Sequence, residues 1–236
     1  MMPIKLPENS IKYILFQRTG YLKDNYVFNL LTWFGSFNHF YKLSVYLKSV
    51  LFSSKIRNEF NKNMWLEYDI IRPYLPRIVK SILDIGCGTA GIDVLISKHY
   101  QNAINIFLID KTCVDKRIYY DFNTNGSFYN SLRISKKVLE CNGVLSSRIY
   151  LQEATEKNNI LFNQQFDIII SLISWGFHYP INTYLTEVYE KLNKNGVLIL
   201  DIRKGTCGEN EIEQKFGKYT VLLNTPKFIR ILVKKQ

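Results

Sequence analysis

The periodicity of apolar and polar positions along this chain changes at about residue 61. Beyond that point, short apolar runs typical of strands alternate with segments of helical periodicity. The pattern predicts strands over 81–85, 105–110, 148–152, 166–172 and 197–201, and helices over 65–74, 90–100, 128–142 and 182–193. Such alternation indicates a mostly parallel sheet with helices on both faces.

The C-terminal tail breaks this alternation. A short helix is predicted over 209–216, followed by strands over 219–223 and 228–234 with only four residues between them. A connection that short cannot carry a parallel crossover, so the two strands must run antiparallel. The sequence therefore predicts an α/β fold whose seven-stranded, mostly parallel sheet ends in an antiparallel C-terminal hairpin.

The first 60 residues are rich in aromatic side chains and read as a separate helical extension. Helical spacing over 26–37 and 41–52 predicts two or three helices outside the sheet. We expect a domain division into 1–60 and 61–236. The extension can serve as a packing cap, as a lid over the acceptor, as a dimer interface or as a membrane-surface element, and the sequence leaves these roles open.

Composition narrows the class of protein. The 236 residues are 47% hydrophobic and 22% charged, which excludes a disordered chain. No run of 18 apolar residues and no secretory leader stands out, so neither a membrane span nor a signal peptide is expected. A net charge of +11 is compatible with nucleic acid, anionic lipid or an acidic small substrate.

The cysteines lie far apart, and no two form a C-x-x-C pair. This spacing argues against a zinc site and against a disulfide scaffold, so we expect no metal and a reducing, cytoplasmic setting. The four are Cys87, Cys113, Cys141 and Cys207.

One glycine-rich segment has the pattern of a ligand-binding loop. Gly86, Gly88 and Gly91 form a G-x-G-x-x-G pattern directly after a predicted strand and at the start of a helix. Glycines there allow a tight turn, close approach of a ligand and close packing of the helix. Asp110 ends the next strand, where its carboxylate can accept hydrogen bonds from both hydroxyls of a ribose. The sequence therefore predicts a nucleotide-like ligand.

Asp84 decides between ligands. It lies two residues before Gly86, at the carboxyl end of the strand, where a carboxylate would repel the pyrophosphate of a dinucleotide. The same carboxylate would attract an ammonium group. A ligand with a cationic amino-acid end and an adenosine end is S-adenosyl-L-methionine, and a nicotinamide cofactor is disfavoured.

On these residues the chain, from Trp65 onward, resembles the class I S-adenosylmethionine-dependent methyltransferases, which have a Rossmann-like sheet with a C-terminal hairpin. The resemblance implies that Asp84, Gly86, Cys87, Gly88 and Gly91 surround the methionine part of the cofactor. It also implies that Asp110 binds the ribose. Three further positions are expected to bind the cofactor, namely Glu153 and Ala154 beside the adenine and Ser171 at the end of the fourth strand.

The segment after the fourth strand is expected to face the acceptor. His178 is a candidate general base, because imidazole titrates near neutrality, and packing is the alternative role. Trp175 and Tyr179 are candidates for stacking on a sugar or a base, and Asp201 for binding substrate. Ser171 replaces the Asn or Asp that opens the Asn/Asp-Pro-Pro-aromatic motif of DNA adenine and glutamine methyltransferases, which disfavours that chemistry.

Three functions remain from these observations. The first is methyl transfer to a small-molecule or saccharide hydroxyl. The second is methylation of RNA, since the stretch from Phe166 to Tyr179 resembles the matching segment of messenger-RNA cap guanine-N7 methyltransferases and the net charge is positive. Against it, this glycine loop reads Cys-Gly-Thr-Ala-Gly where that family has Lys-Gly-Gly. The third is a cofactor-binding protein without activity, which the intact motif disfavours.

Overall fold

The computed structural model describes residues 2–18, 21, 38–114 and 129–236. Its helices are α1 (Ile11–Gln17), α2 (Asn38–Leu51), α3 (Ser53–Ile71), α4 (Gly91–His99), α5 (Leu132–Cys141), α6 (Leu185–Lys191) and α7 (Gly208–Phe216). Its strands are β1 (Ser81–Ile85), β2 (Asn105–Asp110), β3 (Cys113–Val114), β4 (Tyr129–Asn130), β5 (Ile149–Glu153), β6 (Phe166–Ser171), β7 (Ser174–Tyr179), β8 (Leu192–Arg203), β9 (Thr220–Asn224) and β10 (Phe228–Lys234).

Seven strands form one sheet in the order β5-β2-β1-β6-β8-β10-β9. The pairings are parallel except for those of β10, which runs antiparallel to both β8 and β9. This confirms the predicted α/β fold, with its seven-stranded, mostly parallel sheet and antiparallel C-terminal hairpin. The chain turns from one half of the sheet to the other between β1 and β6, so a crevice is expected at their carboxyl ends.

The apolar runs occupy the middle of the sheet, as their composition predicted. The burial of β1 is complete, and β6 and β8 are buried over most of their lengths. Alternate residues of each strand contribute to two hydrophobic clusters, one on each face. Ile82, Ile168 and Ile170 pack toward α3 and α4, whereas Leu83 and Ile169 pack toward the opposite face. Burial on both faces explains why these strands lack polar alternation.

The strand β7 was not predicted, since the sequence pattern indicates no element between the strand over 166–172 and the helix over 182–193. It begins after Ile173, whose φ of +53° turns the chain sharply. Gly176, at φ +86°, lets β7 lie close to β8, since a Cβ there would be 2.8 Å from the backbone oxygen of Asp201. A contact between segments so distant in sequence leaves no local periodicity to detect.

The N-terminal residues pack on the same core as the sheet. Ile11, Ile14 and Leu15 of α1 are fully buried, in the cluster that also holds residues of α3 and α4. The helix α3 continues across residue 60, where the domain division is expected, and that division stays a prediction. The helix expected over 41–52 corresponds to α2, and the helix expected over 26–37 lies outside the described residues.

A buried ion pair joins α3 to the C-terminal half of the sheet. The Arg230 side chain is fully buried, and its Nε and Nη2 donate to Asp201 Oδ1 at 2.7 Å and Oδ2 at 2.8 Å. Its Nη1 also pairs with Glu67 of α3. This bidentate geometry satisfies both charges, as their burial requires.

We predict that Asp201→Asn lowers the free energy of unfolding by about 3–5 kcal/mol, because it leaves a buried guanidinium without a full partner. Urea denaturation measures this loss. The matched control is Asp69→Asn, since Asp69 and Arg72 form an exposed pair at 3.7 Å. That change should cost at most about 1 kcal/mol. Equal effects of the two substitutions would contradict the structural role of Asp201.

Candidate functional site

The glycine loop makes a tight turn at the carboxyl end of β1. Gly86 has a φ of +81°, a conformation that glycine adopts without a steric cost. Its backbone N–H donates to the Ile109 carbonyl oxygen of β2 at 2.7 Å. A Cβ on Gly86 would lie 1.8 Å from Ser174 Oγ. The turn is therefore held between β2 and the start of β7.

Asp110 connects this loop to the neighbouring strand. Its Oδ2 accepts hydrogen bonds from the Gly88 N–H and from Asn130 Nδ2, each at 2.8 Å, and its Oδ1 accepts from the Lys111 N–H at 2.7 Å. Burial raises the pKa of Asp110 to about 6, although these three donors lower it. Because Oδ1 accepts only the Lys111 hydrogen bond among the described residues, it keeps capacity for hydroxyl donors on a ligand.

Three polar residues that the sequence did not single out support the loop. Asn130 Nδ2 donates to the Gly88 carbonyl oxygen at 2.6 Å, and Ser135 Oγ donates to the same oxygen at 2.6 Å. Gln17 Nε2 of α1 donates to Asn130 Oδ1 at 3.2 Å. A Cβ on Gly88 would lie 2.8 Å from Gln17 Oε1. These residues are far apart in sequence and belong to no motif, so only the fold brings them together.

A cleft of about 230 Å³ opens at the carboxyl ends of the central strands. Its walls include the strand ends on both sides of the crossover, where the topology places ligand sites. Five of the predicted site residues line it, together with Ser174, which was not predicted. The five are Gly86, Asp110, Ala154, Trp175 and Tyr179.

One of these five has restricted access. Trp175 is fully buried, and its Nε1 donates to the Ile181 carbonyl oxygen at 2.9 Å. Its ring packs edge-on against Tyr184, at 6.0 Å between centroids. The expectation that Trp175 is free to stack on a substrate is therefore wrong, because the indole belongs to the core and only borders the cleft. Ala154 is fixed by its backbone N–H, which donates to the Asp110 carbonyl oxygen at 2.9 Å.

Two further predictions are corrected by hydrogen bonds within the protein. Ser171 is fully buried, and its hydroxyl donates to the Ile85 carbonyl oxygen at 2.7 Å and accepts from the Trp175 N–H at 3.0 Å. It therefore joins β6 to β1 and to the start of β7. Asp201 was expected to bind substrate, but both of its carboxylate oxygens are engaged by Arg230. Polar residues at strand ends looked functional in sequence because their distant partners were not visible.

The remaining predicted positions are placed as follows. Glu153 Oε2 accepts from the Thr112 N–H at 2.8 Å, at the end of β5. His178 is half-buried in β7, and its ring lies edge-on to Phe177 at 4.9 Å between centroids. Cys87 is buried, and burial together with Asp110 holds the pKa of its thiol well above its usual range.

Gly91 has a packing role that differs from the expected helix–strand contact. A Cβ there would lie 2.5 Å from the Phe60 ring and 2.8 Å from Met64 Sδ, both on α3. The glycine therefore allows two helices, α3 and α4, to approach each other closely.

Two buried carboxyl groups lie behind the loop. Asp84 is 3% exposed and Asp93, in the first turn of α4, is 0% exposed. Burial and the neighbouring carboxyls of Asp93 and Asp110 hold the pKa of Asp84 well above its usual range. Burial also raises the pKa of Asp93 to about 7, although contacts with Asp84 and with its own backbone amide lower it. The sequence had no signal for Asp93, which occupies an ordinary helix position.

Within the described residues, no group of three or more His, Cys, Asp or Glu side chains is arranged to hold a metal ion. The same part of the chain contains no helix that is both long and apolar enough to cross a membrane.

Comparison with known proteins assigns the fold. No protein-family profile matches the chain. An uncharacterized protein of Haemophilus influenzae is 31% identical over 166 residues, which cover 67% of this chain and 57% of that protein. The structure of T. thermophilus 16S rRNA N2 G1207 methyltransferase (RsmC), in complex with AdoMet and guanosine, is 15% identical with a TM-score of 0.52. That alignment covers 73% of this chain and 43% of RsmC.

A second solved structure, StiE O-MT, is similar over more of its own length. It has a TM-score of 0.55 at 11% identity, and the alignment covers 80% of this chain and 81% of StiE O-MT. By contrast, this chain spans only about half the length of RsmC and of the Haemophilus protein. The chain has the fold of the class I S-adenosylmethionine-dependent methyltransferases, as its glycine motif predicted.

We predict that Gly86→Ala destabilises the protein more than Gly205→Ala does. Both glycines have a φ of +81°, so both substitutions carry the conformational cost of about 1–2 kcal/mol. The added Cβ at position 86 would clash with Ser174, whereas the added Cβ at position 205 would have no atom within 4 Å. Urea denaturation of the two variants measures the difference. Equal losses would show that Ser174 does not press on the loop.

Proposed function

We propose that this chain is a methyltransferase that binds S-adenosyl-L-methionine in the cleft and transfers its methyl group to an acceptor. The observation that carries the proposal is the position of Asp110. Asp110 lines the cleft together with Gly86, at the carboxyl edge of the sheet. RsmC, which shares the fold, is in complex with AdoMet, and this supports the same cofactor here.

Different residues suit the ribose, the adenine and the methionine part of the cofactor. Asp110 accepts the ribose hydroxyls, and Ala154, with Glu153 beside it, borders the adenine. Gly86, Cys87 and Gly88 offer backbone to the methionine end, and the carboxylate of Asp84 attracts its ammonium group. When bound, the cofactor supplies a methyl group already activated by the sulfonium. What this chain contributes is alignment of the acceptor and exclusion of water.

We propose a hydroxyl of a small molecule or saccharide as the acceptor. Tyr179 lines the cleft, as Ser174 does, and its aromatic ring suits contact with the face of a sugar. Of the expected N-terminal extension, α1 lies beside the glycine loop, since Gln17 donates to Asn130 Oδ1 and is the side chain that a Cβ on Gly88 would meet. No disulfide joins the cysteines of the described residues, which fits the cytoplasmic setting that is part of this proposal.

RNA is the second candidate acceptor, and the net charge of +11 favours it. RsmC is a ribosomal RNA methyltransferase, which is consistent with this candidate. Binding through several phosphates would weaken by orders of magnitude as salt rises, whereas binding of a neutral saccharide would not. The salt dependence of acceptor binding therefore distinguishes the two acceptors.

We predict that Asp110→Ala weakens the binding of S-adenosylmethionine by about 1–3 kcal/mol, because ribose hydroxyls lose their acceptor. Isothermal titration calorimetry measures the loss. Asp69→Ala, an exposed acid on α3, is the control and should bind normally. Urea denaturation must show that the Asp110 variant is folded. Unchanged affinity would remove Asp110 from the site, and preference of the wild type for NAD would contradict the proposed function.

We also predict that His178→Ala lowers turnover by about 10²–10⁴-fold if a hydroxyl is methylated, because a general base then removes its proton. Cofactor affinity should stay unchanged, because none of the contacts proposed for the cofactor involves His178. Steady-state kinetics across pH measures both quantities. A full rate with a normal KM would exclude His178 from catalysis. With an acceptor that needs no base, such as a ring nitrogen, the main effect would be a raised KM.

A further inference from the structure

Asp84 and Asp93 form a buried carboxyl pair between β1 and α4. Asp84 lies on the same strand face as Ile82, which packs toward α4, and Asp93 lies in the first turn of that helix. The side chains are within hydrogen-bonding reach of each other. Within the described part of the chain, three of their oxygens have no hydrogen-bond donor, namely Asp84 Oδ1 and both carboxylate oxygens of Asp93.

Two carboxylates in such a position cannot both stay ionised without a cation. A proton held between them engages one oxygen of each carboxyl group in an O–H···O hydrogen bond, so the pair titrates as a unit. The titratable groups that face the pair are acidic as well, namely Cys87 from the glycine loop and Asp110 from β2. On the α3 side, the apolar residues Phe60 and Met64 pack against Gly91. A cationic group on this side is the Arg18 guanidinium, which lies over the Phe60 ring with its Nη2 4.0 Å from Met64 Sδ.

We propose that Asp84 and Asp93 share one proton in the empty protein and release it when the α-ammonium group of the cofactor binds beside Asp84. The proposal rests on the proposed function. Asp84 is the binding residue, and Asp93 is a positioning residue that holds the proton. The carboxyl O–H bond breaks, the proton passes to solvent, and the ammonium group replaces it as the donor to the carboxylate. The charge on the pair changes from one negative to two, and the cationic ligand compensates the gain.

Release of a proton makes cofactor affinity depend on pH. Affinity should rise with pH, by up to about tenfold per pH unit where a whole proton is released. Asp93→Asn removes this dependence, because the amide is a permanent donor to Asp84 and has no proton to release. The amide is nearly the same size as the carboxyl group, so the variant is expected to fold.

The decisive experiment is calorimetric titration of S-adenosylmethionine at pH 7.0, in phosphate and in Tris, whose ionisation enthalpies differ. The difference in apparent binding enthalpy gives the number of protons released. The wild type should release about one proton more than Asp93→Asn does. Asp110, with a pKa of about 6, is mostly ionised at this pH, and ionisation of the ligand itself is common to both proteins. Asp69→Asn is the control and should behave like the wild type.

S-adenosylhomocysteine identifies the group that displaces the proton, because it keeps the ammonium group and has no sulfonium. Equal proton release with both ligands is expected. Release with S-adenosylmethionine alone would overturn the assignment to the ammonium group. Equal proton release by the wild type and Asp93→Asn, with normal binding, would overturn the proposal and leave the proposed function intact.

Infrared spectroscopy tests the shared proton without a ligand. At pH 7.0 the empty wild type should show the C=O stretching band of a protonated carboxyl group, and Asp93→Asn should lose it. Absence of the band in the wild type would overturn the shared proton. Presence of the band in a protein that binds no S-adenosylmethionine would instead overturn the proposed function, and with it the ammonium as the displacing group.

Discussion

The site depends on one constraint, the sharp turn that the chain makes between β1 and α4. Gly86 must adopt a positive φ while its N–H donates to the Ile109 carbonyl oxygen. Ser174, at the start of β7, occupies the space that a side chain on Gly86 would need, so any such side chain would collide with it. Because the turn is fixed from both sides, Asp110 and the edge of the cleft are held in place before any ligand arrives, which lowers the ordering cost of binding.

The same turn concentrates negative charge in a basic protein. Asp84, Asp93 and Asp110 lie around it, and each has a raised pKa because it is buried. Such an arrangement costs stability unless protons or a cation compensate it. A cationic ligand compensates that charge, as the proposed binding of the S-adenosylmethionine ammonium group beside Asp84 requires. Arg230 and Asp201, by contrast, neutralise each other inside the protein and leave nothing for a ligand.

The sequence predicted the features that depend on local pattern. The strands over 81–85 and 105–110, the hairpin of the tail and the glycine turn all follow from apolar runs, short connections and glycine spacing. It failed where a residue is defined by a distant partner. Ser171 and Asp201 looked available because Ile85 and Arg230, which engage them, lie 86 and 29 residues away. Asn130 and Asp93 were missed for the same reason, since neither belongs to a motif and both acquire their positions only from the fold.

The most direct test of the account is a crystal structure of the protein grown with S-adenosylhomocysteine, which keeps the ribose and the ammonium group. The account predicts the ribose hydroxyls within hydrogen-bonding distance of Asp110, the adenine beside Ala154 and the ammonium group next to Asp84. A ligand bound with its ribose at another carboxylate, or with its ammonium group away from Asp84, would contradict the account.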